Sequence, residues 1–444
     1  MKLNYKRTFL VGLAFFSICA FWQMYDSVMT LILTNTFSLN ETWSGVIMAA
    51  DNVLALFLLP FFGKLSDQCR SPMGRRAPFI LFGTLAAVIL MIVLPIISNT
   101  YAAAPSTGLF WVFVAVLGLL LVSMGTYRSP AVALMPDVTP KPLRSKGNAV
   151  INLMGAAGGI LYLIISSVMY PSSTTPKNTH VNYLPLFAIV GGIMVVSMTV
   201  LLCTIRERKL EAEIKQYEDA HQEEILTVVD DSGKEVLPPA VKRSLAFLLV
   251  SISLWFIGYN AVTTWFTKYA ETMWDMALGD ASLCLTVATA GAIVSYIPIG
   301  ALASRIGRRK TILIGVALLA TCFATGWIYT ITIGKFSYAL FALFLVIGFS
   351  WAAINVNSLP MVVEMCKGSE VGKFTGYYYT FSMAAQTITP ITAGYLLSNV
   401  SYQALFPYAA LFVAASFVTM LMVRHGDNTV SAKKSVLENF DVED

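Results

Sequence analysis

Three ionisable side chains, Asp26, Asp51 and Arg128, stand inside long apolar stretches of this 444-residue chain. Charge inside hydrocarbon costs at least about 2.5–3.5 kcal/mol per residue on insertion scales, so each group needs a partner or a purpose. Counted in residues, Asp26 lies about eight positions before one end of its stretch and Asp51 about eight positions into the next. At 1.5 Å per residue that puts both carboxylates about 12 Å below the same surface. Two acids at one depth can hold a proton between them and pass it on, which is what a reversible proton carrier requires. Arg128 falls somewhat deeper and could reach across to Asp26, forming a link that a solute or a proton breaks. A fixed ion pair that only ties two helices together remains the plainer reading.

A second group is aromatic and amide. Trp22, Tyr25, Asp26 and Met29 recur at i, i+3, i+4 and i+7, on one helical face. Trp255, Tyr259 and Thr263 share another face, with Asn260 and Thr264 beside it, and Trp351, Asn355 and Asn357 follow in a later stretch. Asn148 and Asn152 add amides, and Tyr377, Tyr378, Tyr379 and Gln386 complete the set. Aromatic rings can stack on the apolar side of a sugar ring while amides and carboxylates bond its hydroxyls. The expected contacts of such a neutral glycoside are Trp22, Tyr25, Asp26, Asp51, Arg128, Asn152, Trp255, Tyr259, Asn260 and Asn355. The same residue types also make interfacial belts and interhelical bridges, and a belt is the reading for Tyr377 to Tyr379. A drug exporter would need fewer hydrogen-bonding groups, and an anion carrier more cations than Arg128.

The elements that must position these residues are membrane helices. The chain is 57% hydrophobic and only 12% charged, against about 25% charged for soluble domains. A spanning helix needs about 20 mostly apolar residues. Twelve such stretches are legible, at 9–34, 43–63, 78–97, 109–135, 147–170, 184–204, 244–268, 282–303, 310–333, 337–362, 374–398 and 403–424. A basic turn occurs twice, about 235 residues apart: Gly63-Lys64-Leu65-Ser66-Asp67 leading to Gly74-Arg75-Arg76, and Gly300 to Ser304 leading to Gly307-Arg308-Arg309. The chain therefore reads as an all-α membrane protein of two six-helix pseudo-repeats. The expected layout is an N-terminal bundle over 1–205, a linker over 206–243 with a short amphipathic helix at Glu207 to Ile225, a C-terminal bundle over 244–424 and a disordered tail over 425–444. Of the 30 Lys and Arg, 26 fall before the first stretch, between even and odd stretches, or in the tail. Positive residues are retained on the cytoplasmic side, so both termini are expected there, in a cell's inner (plasma) membrane.

The repeat also pairs charges. Asp137 and Glu364 each follow their own Gly-Arg-Arg turn by roughly 60 residues, which matches Arg75 or Arg76 with Asp137 and Arg308 or Arg309 with Glu364. Asp67 joins the first set, and Ser304 stands where the second set would carry the equivalent acid.

A basic turn between spanning helices, repeated half a chain later, resembles the signature of the major facilitator superfamily. Within it, Thr42-Trp43 through Asp51, then Pro60, Gly63, Ser66-Asp67-Gln68-Cys69-Arg70-Ser71 and Gly74-Arg75-Arg76-Ala77-Pro78-Phe79-Ile80, looks like the sucrose/proton symporters of the glycoside-pentoside-hexuronide:cation group. The resemblance implies a central cavity lined by helices 1, 4, 7 and 10. It also implies that the Arg–Asp and Arg–Glu pairs latch the cytoplasmic gate in an outward-facing state. The chain departs from the pattern. Leu121 stands where plant-type sucrose symporters keep a coupling carboxylate, and Ala55 and Leu59 where melibiose-type symporters keep cation-binding acids. Coupling would then rest on Asp26 or Asp51, with a proton rather than sodium.

Six Cys without CxxC spacing and three His confined to loops and tail indicate neither disulfides nor a metal site. No cofactor, no nucleic-acid partner and no enzyme activity are expected. The reading is a monomer in a lipid bilayer that imports a glycoside or disaccharide with a proton by alternating access. An uncoupled facilitator, a small-molecule exporter and a membrane sugar sensor are the alternatives.

Overall fold

The structure, a computed structural model, describes residues 4–139, 144–210, 212–213, 238–365 and 371–427. Twelve long helices occupy them: α1 (Tyr5–Leu31, continued by a π-helical turn Ile32–Thr36), α2 (Glu41–Asp67), α3 (Ala77–Ala103), α4 (Thr107–Asp137), α5 (Arg144–Met169) and α6 (Leu184–Thr204) in the first half. The second half holds α7 (Pro239–Trp274), α8 (Leu278–Ile306), α9 (Arg308–Thr332), α10 (Ala339–Val363), α11 (Val371–Asn399) and α12 (Leu405–Leu421). Eleven of the twelve are long and apolar enough to cross a membrane, so the chain is a multi-pass membrane protein. The exception is α11, whose Tyr377 to Tyr379, Ser382 and Gln386 dilute its apolar character.

Local chemistry starts and bends these helices. Asn4 and Asn40 cap α1 and α2, their side-chain oxygens accepting from Arg7 N at 3.1 Å and Trp43 N at 2.9 Å. Pro60 and Pro390 lie inside α2 and α11. Interior prolines are tolerated in such helices when neighbours satisfy nearby carbonyls. Beside the prolines, though not at the carbonyls four residues back that they free, Ser129 Oγ donates to Leu59 O at 2.7 Å and Trp265 Nε1 to Pro390 O at 3.2 Å, tying neighbouring helices together.

Each half has its own apolar core. With lipid outside, helices gain from close backbone approach. Gly158 lets α5 lie on α1, since a Cβ there would sit 1.9 Å from Phe16 O. Gly348 does the same for α10 on α8, against Ala288 O at 1.9 Å. The halves meet along α2 with α11, α5 with α8 and α1 with α7.

The seventh helix is longer than its apolar run suggests, starting at Pro239 and ending at Trp274 instead of covering 244–268. The run ends at Lys268, a charge, whereas the fold buries that charge with partners. The expected linker therefore loses its last residues to α7. Of the expected amphipathic helix, residues 207–210 and 212–213 are helical; its remainder, most of the linker and the tail from 428 lie outside the described residues.

Candidate functional site

A cavity of about 560 Å³ lies between the halves, walled by α1, α2, α4, α7, α10 and α11. Asp26 of α1 and Asp51 of α2 both face it, as does Arg128 of α4. Asp51 is anchored through Oδ1, which accepts from Asn52 N at 2.6 Å and Asn52 Nδ2 at 2.9 Å. Arg128 is not paired with Asp26 here. Its guanidinium lies 5.8 Å from the Trp22 ring centroid, where the indole quadrupole attracts a cation without a counter-ion. The expected Asp26–Arg128 link is therefore not made in this conformation. The two carboxyl groups and the arginine line one space.

The rest of the wall is polar and aromatic. Trp22 Nε1 and Asn260 Nδ2 are buried donors with no partner among the described residues. Thr263, Asn355, Tyr379 and Gln386 add further hydrogen-bonding groups. An unpaired buried donor costs about 1–3 kcal/mol.

Helical rotation corrects part of the expected lining. Trp255 is fully buried in the core of the second half, and Tyr25 packs against Trp22 and Phe21; neither is among the residues lining the cavity. The facing set on α7 is Phe256, Asn260, Thr263 and Thr264, one position round from Trp255 and Tyr259, a turn of about 100°. Asn357 turns inward and donates to Ala353 O at 2.9 Å. Tyr378 and Tyr379, expected in an interfacial belt, line the cavity instead, and only Tyr377 of the three is exposed. The low apolarity of α11 was the signal that its face is used.

A second cavity of about 320 Å³ lies on the other side of α1 and α7, walled also by α5, α8 and α10. Tyr259 and Asn152 open here, together with Gln23, Thr289 and Tyr296. Trp351 and Cys19 border both cavities. The Tyr259 and Trp351 rings stack with centroids 3.7 Å apart and planes 3° from parallel.

The repeated turn folds the same way twice. Gly74 and Gly307 take φ of +121° and +92°, the region open to glycine. In the first half Arg75 Nη2 pairs with Asp137 Oδ1 at 2.9 Å and Arg76 Nε with Asp137 Oδ2 at 2.8 Å, while Arg76 also pairs with Asp67. In the second half Arg308 pairs with Glu364. Arg309 instead donates through Nη2 to Leu421 O at 2.8 Å. All these pairs stay within one half, so they brace each bundle rather than join the two.

An acid at the end of each half, missed in the sequence, completes the turn. The Glu207 carboxylate accepts from Arg75 N at 3.0 Å, Arg76 N at 2.8 Å and Ala77 N at 3.0 Å, capping α3. Asp427 approaches Gly307 and accepts from Arg309 N at 3.3 Å. Glu207→Ala is expected to cost about 1–2 kcal/mol, as loss of a strong cap does. The check is thermal unfolding in detergent against Lys209→Ala, whose side chain is 72% exposed. Equal melting for the two variants would mean that the cap contributes nothing.

At the opposite face the halves are tied together. Lys268 and Glu271 of α7 are buried as a pair, with Nζ 2.9 Å from Oε2. Asn35, in the π-turn after α1, donates to both Glu271 oxygens at 2.8–2.9 Å, and Asn178 N donates to Oε1 at 2.8 Å. Thr267 Oγ1 donates to Ser27 O at 2.8 Å, Ser166 Oγ to Ser282 Oγ at 2.7 Å and Gly279 N to Tyr170 O at 2.9 Å. Glu41 accepts from Ser398 Oγ at 2.9 Å and from Tyr402. The sequence signal was present in Asn35, Lys268 and Glu271 beside apolar runs, but nothing local says that they meet.

The main cavity lies on the other side of this closure. Its contacts on α2 run from Met48 to Leu59, about 16 Å along the helix axis, towards the face that carries the Gly-Arg-Arg turns.

A family model described as Major Facilitator Superfamily matches residues 11–276 and again 274–439. Sucrose transport protein SUC3 of Arabidopsis thaliana is 30% identical over 152 residues, 32% of this chain and 25% of that protein. The chain thus aligns with about a quarter of the length of that curated relative. Among solved structures, a D-xylose-proton symporter superposes with a TM-score of 0.68 at 15% identity, covering 95% of this chain and 98% of that one. A nucleoside transporter, NupG, fits with a TM-score of 0.64 at 13% identity, over 94% and 100% of the two chains. At such identities the likeness gives the twelve-helix fold and does not select the solute.

Proposed function

The chain belongs to the Major Facilitator Superfamily, whose model matches both halves, and from that premise we propose that it is a proton-coupled symporter importing a glycoside or disaccharide by alternating access. The observation that carries this reading is the composition of one cavity wall. Two carboxylates, an arginine held on an indole, and the amide, hydroxyl and aromatic side chains of Asn260, Thr263, Asn355, Gln386, Trp22 and Trp351 face the same space. Rings offer apolar faces to a sugar, and amides and carboxylates bond its hydroxyls. Asp26 and Asp51 are the proton carriers in this scheme, with Arg128 as the charge that either acid can call on. The Arabidopsis relative is a sucrose transport protein, which supports sucrose-like solutes, and the D-xylose-proton symporter of the same fold supports coupling to protons.

The basic turns favour a cytoplasmic location for the face with both termini, in an inner (plasma) membrane. The closed face is then the outer one, and the conformation is inward-facing. Residues 1–205 and 244–424 form the two rocking bundles in this reading, joined by 206–243, and the chain works as a monomer with no cofactor.

The test uses purified protein in liposomes that carry an interior pH dye, with disaccharides and glycosides added outside. Sugar-dependent interior acidification is expected. Sugar uptake without acidification would reduce the protein to a facilitator, and no uptake of any sugar would overturn the reading.

A further inference from the structure

The second cavity has no role in the coupling scheme, yet it is built from hydrogen-bonding side chains. Gln23 makes no hydrogen bond among the described residues, and Asn152, Thr289 and Tyr296 open to the same space. None of these carries charge, in contrast to the main cavity. The two spaces are arranged about the same pair of helices. On α1, Trp22 faces the main cavity and Gln23 the second; on α7, Asn260 faces the main cavity and Tyr259 the second. Adjacent residues diverge by about 100° on a helix, so each helix is a partition with a working face on either side. Cys19 and Trp351 border both spaces, and the Trp351 ring stacks on that of Tyr259, which lines the second.

The geometry points to a two-lobed solute site: one ring of a glycoside sits in the main cavity near the acids, and a second, neutral polyhydroxylated ring sits in the second cavity. Gln23 and Asn152 serve as its specificity determinants. This rests on the sugar reading above and narrows it to solutes with two rings. The cavities measure about 560 and 320 Å³, each within the roughly 300–1,000 Å³ of small-molecule sites. The lobe chemistry fits the assignment. Uncharged amides and hydroxyls bond a neutral ring without the desolvation that a charged site would demand, and the Trp351 and Tyr259 faces offer a stacking surface at the junction.

The experiment compares affinities for a disaccharide panel and for the corresponding methyl monosaccharides, by tryptophan-fluorescence titration of detergent-purified protein. Gln23→Ala removes an amide and Ala156→Leu fills the second lobe, and two variants guard against one failing to fold. The readout is the ratio of disaccharide to monosaccharide affinity. In wild type the best disaccharide is expected to bind at least about tenfold tighter than its monosaccharide glycoside. Gln23→Ala is expected to cut that ratio by about tenfold, the worth of one well-made polar contact, and Ala156→Leu to cut it by about as much by excluding the second ring. Asn260→Ala, in the main lobe, should weaken both ligand classes and leave the ratio near the wild-type value. If monosaccharides bind as tightly as any disaccharide, or if the ratio survives both variants, the two-lobe assignment is overturned while the sugar reading stands. If no sugar of either size binds, the sugar reading itself fails and this inference with it.

Discussion

Asp26→Asn is expected to abolish uphill solute accumulation while leaving solute binding largely intact. The asparagine keeps the size of the side chain and its place on the cavity wall but can neither take up nor release a proton. No ion pair with Arg128 depends on Asp26 in this conformation, because the guanidinium rests on Trp22. The substitution therefore removes a carrier without unlocking two helices. A driving force of about 100 mV is worth about 2.3 kcal/mol per charge moved, enough for roughly 50-fold accumulation with one proton. In proteoliposomes under such a gradient the variant should bring internal and external solute to a ratio of about one, while counterflow of labelled solute continues. Accumulation at the wild-type level would remove Asp26 from the coupling scheme. The companion Asp51→Asn separates the two acids. Asp51 accepts from both nitrogens of Asn52, so its replacement disturbs a local anchor as well as a charge, and loss of binding together with coupling is the expected signature there.

Lys268→Ala is expected to have the largest effect on conformation. Lys268 and Glu271 are 6% and 5% exposed, and Lys268 also donates to Asn178 Oδ1 at 3.1 Å. Removing one partner of a buried pair costs about 3–5 kcal/mol, because the other charge stays buried. Glu271 would keep its donors from Asn35 and Asn178, so the lower end applies. Opening this face lets water reach Glu271, so the cost falls on the closed state alone. A shift of about 3 kcal/mol changes the closed-to-open ratio by roughly a hundredfold. Spin labels at Ser38 and Tyr338, exposed positions on opposite halves of this face, should report a longer distance in the variant. Gly45→Leu should act in the same direction by a different cause, since a Cβ at Gly45 would lie 2.2 Å from Pro390 O in the closed contact. Unchanged label distances in both variants would show that the network does not hold the face shut.

Much of this protein follows from local pattern. Runs of about 20 apolar residues dictate spanning helices whatever their neighbours, and the two Gly-Arg-Arg turns announce the repeat. The partners of those arginines were legible because a repeat places Asp137 and Glu364 at matching distances, although Arg309 turned out to serve the end of α12. The shared cavity of Asp26 and Asp51 was legible from depth alone, because rise per residue converts position into height.

What tertiary structure decided is rotation and company. Periodicity tells which residues share a face, but only packing against neighbours sets where that face points. Hence Trp255 and Tyr25 went into the core while Asn260 and Thr264 reached the cavity, and Tyr259 and Asn152 turned to a second space. Depth also could not pair groups far apart in the chain. Asn35, Asn178, Lys268 and Glu271 look like the polar edges of separate helices and loops. Buried in contact they become one network, because a charge removed from water is stable only beside the partners that the fold brings to it.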